Sequence, residues 1–132
     1  MPGKHIFEYS ILPQAGGVQP FEQAYAFQSP LRTVSAPLHM GVMGEQSSLV
    51  QVSSPEFIIS AIKSAEDGNG WILRGYNLTA QPLEVKLTPW RPFTRVEYVN
   101  LVEEAQDVLI PAEDGSIILH AGGHAIVSLR FA

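Results

Sequence analysis

Apolar and polar residues alternate with a period of two over much of the chain. Leu83, Val85 and Leu87 alternate with Glu84, Lys86 and Thr88, which gives one apolar and one polar face, as in a half-buried β-strand. Near the start His5, Phe7, Tyr9 and Ile11 alternate with Ile6, Glu8 and Ser10, so a strand is predicted over His5–Leu12. At the far end Val127, Leu129 and Phe131 alternate with Ile126, Ser128 and Arg130, within a predicted strand over His124–Phe131. Further strands are predicted over Leu31–Ala36, Ser48–Val52, Phe57–Lys63, Gly70–Tyr76, Phe93–Val99, Asp107–Ile110 and Ser116–His120. Each is short, as strands usually are.

Turn chemistry separates these runs. Asp67-Gly68-Asn69-Gly70 predicts a hairpin turn, because glycine takes the positive φ that tight turns demand. Asp114-Gly115 and Gly122-Gly123 predict turns further on, and most of the ten prolines fall between runs, where a missing N–H breaks no ladder. From Phe57 onward the strands are expected to form a meander of hairpins. One helix is predicted, over Gln19–Gln28: Phe21, Ala24 and Tyr25 share a face, Pro20 suits the first turn and Pro30 ends it. It is too short to stand alone and is expected to dock on the sheet. The segment Met40–Ser47 is the expected mobile loop. The fold class is therefore all-β: an antiparallel β-sandwich of about ten short strands with one short helix. Residues 1–132 are read as a single domain.

Composition narrows the class. The chain is 45% hydrophobic and 16% charged, with a formal net charge of -5 and no basic cluster, which argues against a nucleic-acid partner. No apolar run approaches the roughly 18 residues of a membrane span. The N-terminus lacks the apolar core of a signal peptide, and the chain has no cysteine, so a reducing, cytoplasmic setting is expected.

Candidate chemistry is sparse. The adjacent acids Glu66-Asp67, Glu103-Glu104 and Glu113-Asp114 lie in or beside turn sequences, whereas glycosidic carboxylates stand roughly 5–10 Å apart across a cleft. They read as solvated turn residues. His5, His39, His120 and His124 are scattered; a two-residue Gly122-Gly123 turn would put His120 and His124 on opposite sides of a sheet, and a three-residue loop would bring them together. Neither arrangement supplies the third ligand that a zinc site needs. No serine lies in a Gly-x-Ser-x-Gly elbow, and Asn77-Leu78-Thr79, a formal glycosylation sequon, reads as a plain turn. No catalytic residue and no metal ligand is assigned. Trp71 shares a face with Leu73 and reads as core, while Trp90, between Pro89 and Arg91-Pro92, is a candidate for stacking on sugar.

The stretch Lys63-Ser64-Ala65-Glu66-Asp67-Gly68-Asn69-Gly70-Trp71-Ile72-Leu73-Arg74-Gly75-Tyr76-Asn77 resembles the C-terminal β-sandwich of glycoside hydrolase family 38, with its Lys-x-x-Glu-Asp-Gly turn and Ile-Leu-Arg-x-Tyr-Asn strand. The pieces His5-x-Phe7-x-Tyr9-Ser10-Ile11-Leu12-Pro13, Ser29-Pro30-Leu31 and Asn100-Leu101-Val102-Glu103-Glu104 agree in order. Gln14 and Ser29 depart from the His and Asn common in the family.

The resemblance implies a non-catalytic domain of an α-mannosidase, with the Asp nucleophile and the zinc ion in an upstream catalytic domain of the same polypeptide. The parent would hydrolyse terminal α-mannosides with retention, acting on mannose-containing carbohydrate. This chain itself would need no cofactor. Lys63, Glu66, Asp67 and Arg74 become hairpin or docking candidates, with Glu66 or Asp67 expected to pair with Lys63 or Arg74. Phe21, Tyr25 and Phe27 become interface candidates, facing the upstream domain or a second copy in a homo-oligomer. A carbohydrate-binding module with its own weak affinity is the alternative reading, and an independent small enzyme a third.

Overall fold

A computed structural model describes residues 3–13, 20–41 and 44–132. Gln14, the first residue of the expected helix (Gln19), and Val42 and Met43 of the expected loop lie outside the described residues. The chain divides into two compact units, Met1–Val42 and Met43–Ala132.

In the first unit the helix α1 runs over Pro20–Gln28. The Ser29 N–H donates to the Tyr25 carbonyl at 2.8 Å and closes its last turn. None of its residues is buried. The strands expected over 5–12 and 31–36 do not form. Alternation supplies a face but not a partner, and an extended segment is held only when its N–H and C=O groups find a ladder. Side chains of both parities are exposed instead, Ile6 at 76% and Phe7 at 86%, with Tyr9, Ile11, Leu31, Val34 and Leu38 alongside.

The second unit is a β-sandwich of eight strands: β1 (Val50–Val52), β2 (Phe57–Ser64), β3 (Trp71–Asn77), β4 (Leu83–Pro89), β5 (Val96–Val99), β6 (Ala105–Leu109), β7 (Ile117–Ala121) and β8 (Ile126–Phe131). All pairings are antiparallel. One sheet has the order β1-β4-β7 and the other β2-β3-β8-β5-β6. The expected meander is thereby corrected. Only β2–β3 and β5–β6 are sequential neighbours, while β4 and β7 cross to the smaller sheet and β8 returns between β3 and β5.

The crossings are what bury the apolar faces. Val85, Leu87, Ile117 and Leu119 from the small sheet meet Leu73, Val96, Leu129 and Phe131 from the large one, all fully buried. A one-sheet meander would have left one of these faces in water, at roughly 25 cal/mol per Å² of apolar surface. A smaller cluster of Ala65, Ile72 and Val99 lies outside this core. Ile72 follows Trp71 and precedes Leu73, so it projects to the outer face of the larger sheet.

A β-bulge decides which residues of β2 face outward. Register shifts between Ile59, opposite Gly75, and Ala61, opposite Arg74. The extra residue, Ser60, donates its hydroxyl to the Arg74 carbonyl at 3.2 Å. Strict alternation from buried Phe57 would place Lys63 on the core face. The bulge reverses the parity, so that Lys63 pairs with outward Ile72 and Ser64 with core-facing Trp71.

Candidate functional site

The hairpin between β2 and β3 is closed as its residues dictate. Ala65 N–H donates to the Gly70 carbonyl at 3.1 Å, Gly68 N–H to the Ala65 carbonyl at 3.0 Å, and Asn69 N–H to Asp67 Oδ1 at 2.9 Å. Gly70 has φ +89°, and a Cβ there would stand 1.9 Å from the Phe131 carbonyl oxygen, so only glycine fits.

On the outer face beside this hairpin the chain builds a charged network. Lys63 Nζ lies 3.0 Å from Glu66 Oε1 and 2.7 Å from Glu103 Oε1. Glu103 Oε2 accepts the Glu66 N–H at 2.9 Å. Asp67 does not pair across its own hairpin: its Oδ2 receives Arg130 Nη1 of β8 at 3.0 Å, and Arg130 Nη2 donates to the Glu103 carbonyl at 2.9 Å. Arg74 contacts no carboxylate among the described residues; Nε donates to Ser128 Oγ at 2.9 Å and Nη2 to the Leu101 carbonyl at 3.2 Å.

Glu103 is the hub that sequence reasoning missed. Its side chain is only 4% exposed, and its φ of +67° belongs to the tight turn after β5. That turn is shaped by Asn100, whose Oδ1 accepts the N–H groups of Val102 and Glu104 at 3.0 Å. The Asn at the start of Asn100-Leu101-Val102-Glu103-Glu104 was the readable sign of such a turn.

The electrostatics argue against acid–base work here. The hydrogen bond from Lys63, then the Glu66 N–H, hold the Glu103 carboxyl below its ordinary range, the opposite of what a general acid needs. The same contacts, Glu103 first and Glu66 second, raise the Lys63 ammonium. Asp67 is lowered chiefly by the Asn69 N–H and then by Arg130. This network therefore clamps the hairpin and the 100–104 turn onto β8.

The other acids also serve turns. Glu104 accepts Asn100 Nδ2 at 2.7 Å, and Asp114 meets Lys86 Nζ at 2.8 Å. His120 and His124 do not share a hairpin, because β7 and β8 lie in different sheets. His120 faces Glu84 across β4–β7, with Nδ1 3.9 Å from its carboxylate. Among the described residues no group of three His, Cys, Asp or Glu side chains is placed to hold a metal ion.

Asn77 of the sequon is spent on structure. It is 1% exposed; Nδ2 donates to the carbonyls of Gln81 at 2.7 Å and Gly122 at 3.0 Å, and Oδ1 accepts the Thr79 N–H at 2.8 Å.

The interface candidates are not core. Phe21 is half-buried, and Tyr25 and Phe27 are 38% and 46% exposed. Trp71 is half-buried and stacks on Phe131 with ring centroids 4.0 Å apart and planes 5° from parallel. Trp90 is 43% exposed, with Arg91 Cζ 5.4 Å from its ring centroid. Both tryptophans line one groove of about 490 Å³.

A model of the glycosyl hydrolases family 38 C-terminal beta sandwich domain matches residues 56–129, more than half of the chain. No curated protein and no solved structure matches the chain.

Proposed function

The chain belongs to the glycosyl hydrolases family 38 C-terminal β-sandwich family, and from that membership we propose that it serves an α-mannosidase as a non-catalytic domain packed on the catalytic region of the same polypeptide. The parent hydrolyses terminal α-mannosides, and its zinc ion and nucleophile reside in that upstream region. The observation that carries the docking part is the apolar exposure of the first unit. Ile6, Phe7, Tyr9, Ile11, Leu31 and Leu38 are each more than 75% exposed within about forty residues. Apolar surface on that scale is stabilised by a partner, and a catalytic region in the same polypeptide is always at hand.

Two experiments test this. The purified chain should not hydrolyse an aryl α-mannoside, with or without added zinc; turnover that tracks the pure protein overturns the non-catalytic reading. The reading frame preceding Met1 should encode a family 38 catalytic region, and that region should co-purify with this chain when the two are co-expressed. Replacing Phe7, Tyr9 and Phe27 together by Ser should abolish co-purification while the circular dichroism of the sandwich is retained. Undiminished co-purification by the triple variant would remove the docking surface from the argument.

A second reading, a carbohydrate-binding module with its own affinity, draws on one observation: both tryptophans line the same groove.

A further inference from the structure

The two tryptophans of the chain are Trp71 and Trp90. They lie nineteen positions apart on different strands' ends, yet the fold brings both to the groove beside the β1 and β2 edges, together with Lys63, Ser64 and Arg91. Three features assemble it. The bulge at Ser60 turns Ser64 onto the face of Trp71. Stacking on Phe131, itself met edge-on by Phe93 at 5.2 Å, fixes the Trp71 indole. A backbone bond from Trp90 N–H to the Leu49 carbonyl at 2.9 Å fixes the chain carrying the second indole.

The chemistry of the lining selects a ligand class. A pyranose ring presents an apolar C–H face and a rim of hydroxyls. Indoles suit the first, and unspent donors suit the second. The Arg91 Cζ lies 5.4 Å from the Trp90 ring centroid, and among the described residues no hydrogen bond or ion pair engages its N–H groups or the Ser64 hydroxyl. Neither Asp nor Glu lines the groove. Its volume, about 490 Å³, lies within the 300–1,000 Å³ or so of small-molecule sites. A purely aliphatic ligand would leave the donors unpaired, which costs affinity.

We propose that this groove binds a short mannose-containing saccharide, with Trp90 and Trp71 as the stacking surface and Arg91 and Ser64 as hydroxyl partners. The choice of mannose rests on the α-mannosidase reading; the groove itself rests on the two indoles and the free donors.

Because both tryptophans line the groove, intrinsic fluorescence reports on it directly. The full 132-residue chain should show a saturable emission change on titration with α-mannotriose, with a Kd on the order of 1 mM. Trp90→Ala should abolish saturable binding measured by calorimetry, and Arg91→Ala should weaken it about tenfold. Both side chains are exposed, so unchanged circular dichroism and melting temperature should accompany the loss. Maltotriose and a galactotriose form the comparison arms. Binding of either that requires Trp90, without binding of mannotriose, upholds a saccharide groove and overturns its mannose preference. No saturable binding of any of the three, or equal affinity in Trp90→Ala, overturns the groove as a sugar site. Such a failure leaves co-purification with the catalytic region untouched, so the two readings fail separately.

Discussion

Asn77→Ala tests whether one buried amide holds the two sheets together at their shared end. Asn77 closes β3 in the larger sheet, and its amide reaches the Gln81 carbonyl before β4 and the Gly122 carbonyl after β7, both in the smaller sheet's connections. A further carbonyl, that of Ala121, lies 3.3 Å from Nδ2. Oδ1 accepts from the Thr79 N–H at 2.8 Å and the Thr79 hydroxyl at 2.9 Å. Four hydrogen bonds at a net 0.5–1.5 kcal/mol or so each would give an upper range of about 2–6 kcal/mol. Water reaching the Gln81 and Thr79 groups, which are less buried, lowers the expectation to about 2–4 kcal/mol. For a domain of this size that corresponds to a fall in Tm of about 8–15 °C. Asn77→Asp keeps the acceptor toward Thr79 but aims a carboxylate at carbonyl oxygens, so it should destabilise at least as much at neutral pH. Urea denaturation followed by tryptophan fluorescence reads both variants, since Trp71 sits on the same strand. An Asn77→Ala variant within about 0.5 kcal/mol of the parent would refute the clamp.

Three further outcomes are expected. Glu103, Asp67 and Asp114 all titrate below their ordinary values of 4.5, 3.8 and 3.8, so each stabilises the fold above those values and loses that contribution as pH falls through its lowered folded value. Glu103→Gln should therefore lower Tm at neutral pH and narrow its gap to the parent in acid; a gap constant from neutral to strongly acidic pH would contradict this. Gly68 and Gly70 both have positive φ, but only Gly70 faces the Phe131 carbonyl. Gly68→Ala should cost about 1–2 kcal/mol and Gly70→Ala clearly more, measured by urea midpoint; equal costs would remove the steric argument. Leu129→Ala, in the fully buried inter-sheet core, should cost about 2–5 kcal/mol, and a loss below about 1 kcal/mol would show that the core closes around the gap.

What the sequence determined by itself was local. Alternation at 83–88 and 126–131 marked β4 and β8, and Asp67-Gly68-Asn69-Gly70 marked a turn because φ preference is a property of the residue. Pro20 and Pro30 bracketed α1 for the same reason. Lys63 and Glu66 were readable as partners because a tight hairpin keeps them close, 3.0 Å apart in the fold.

Tertiary structure decided everything that depends on a distant partner. Periodicity assigns a strand its faces but does not say which strand it will join, so the crossings of β4 and β7 to a second sheet were invisible, and with them the separation of His120 from His124. Likewise, the same alternation produced a strand at 83–88, where a ladder was available, and none at 5–12. The bulge at Ser60 moved Lys63 outward, and only then did it meet Glu103, forty positions along the chain and folded under by a left-handed turn. Asn77, Glu103 and the meeting of Trp71 and Trp90 at one groove share one cause. A polar or aromatic side chain takes its role from the groups that surround it once burial has excluded water, and those groups come from chain segments that no local window contains.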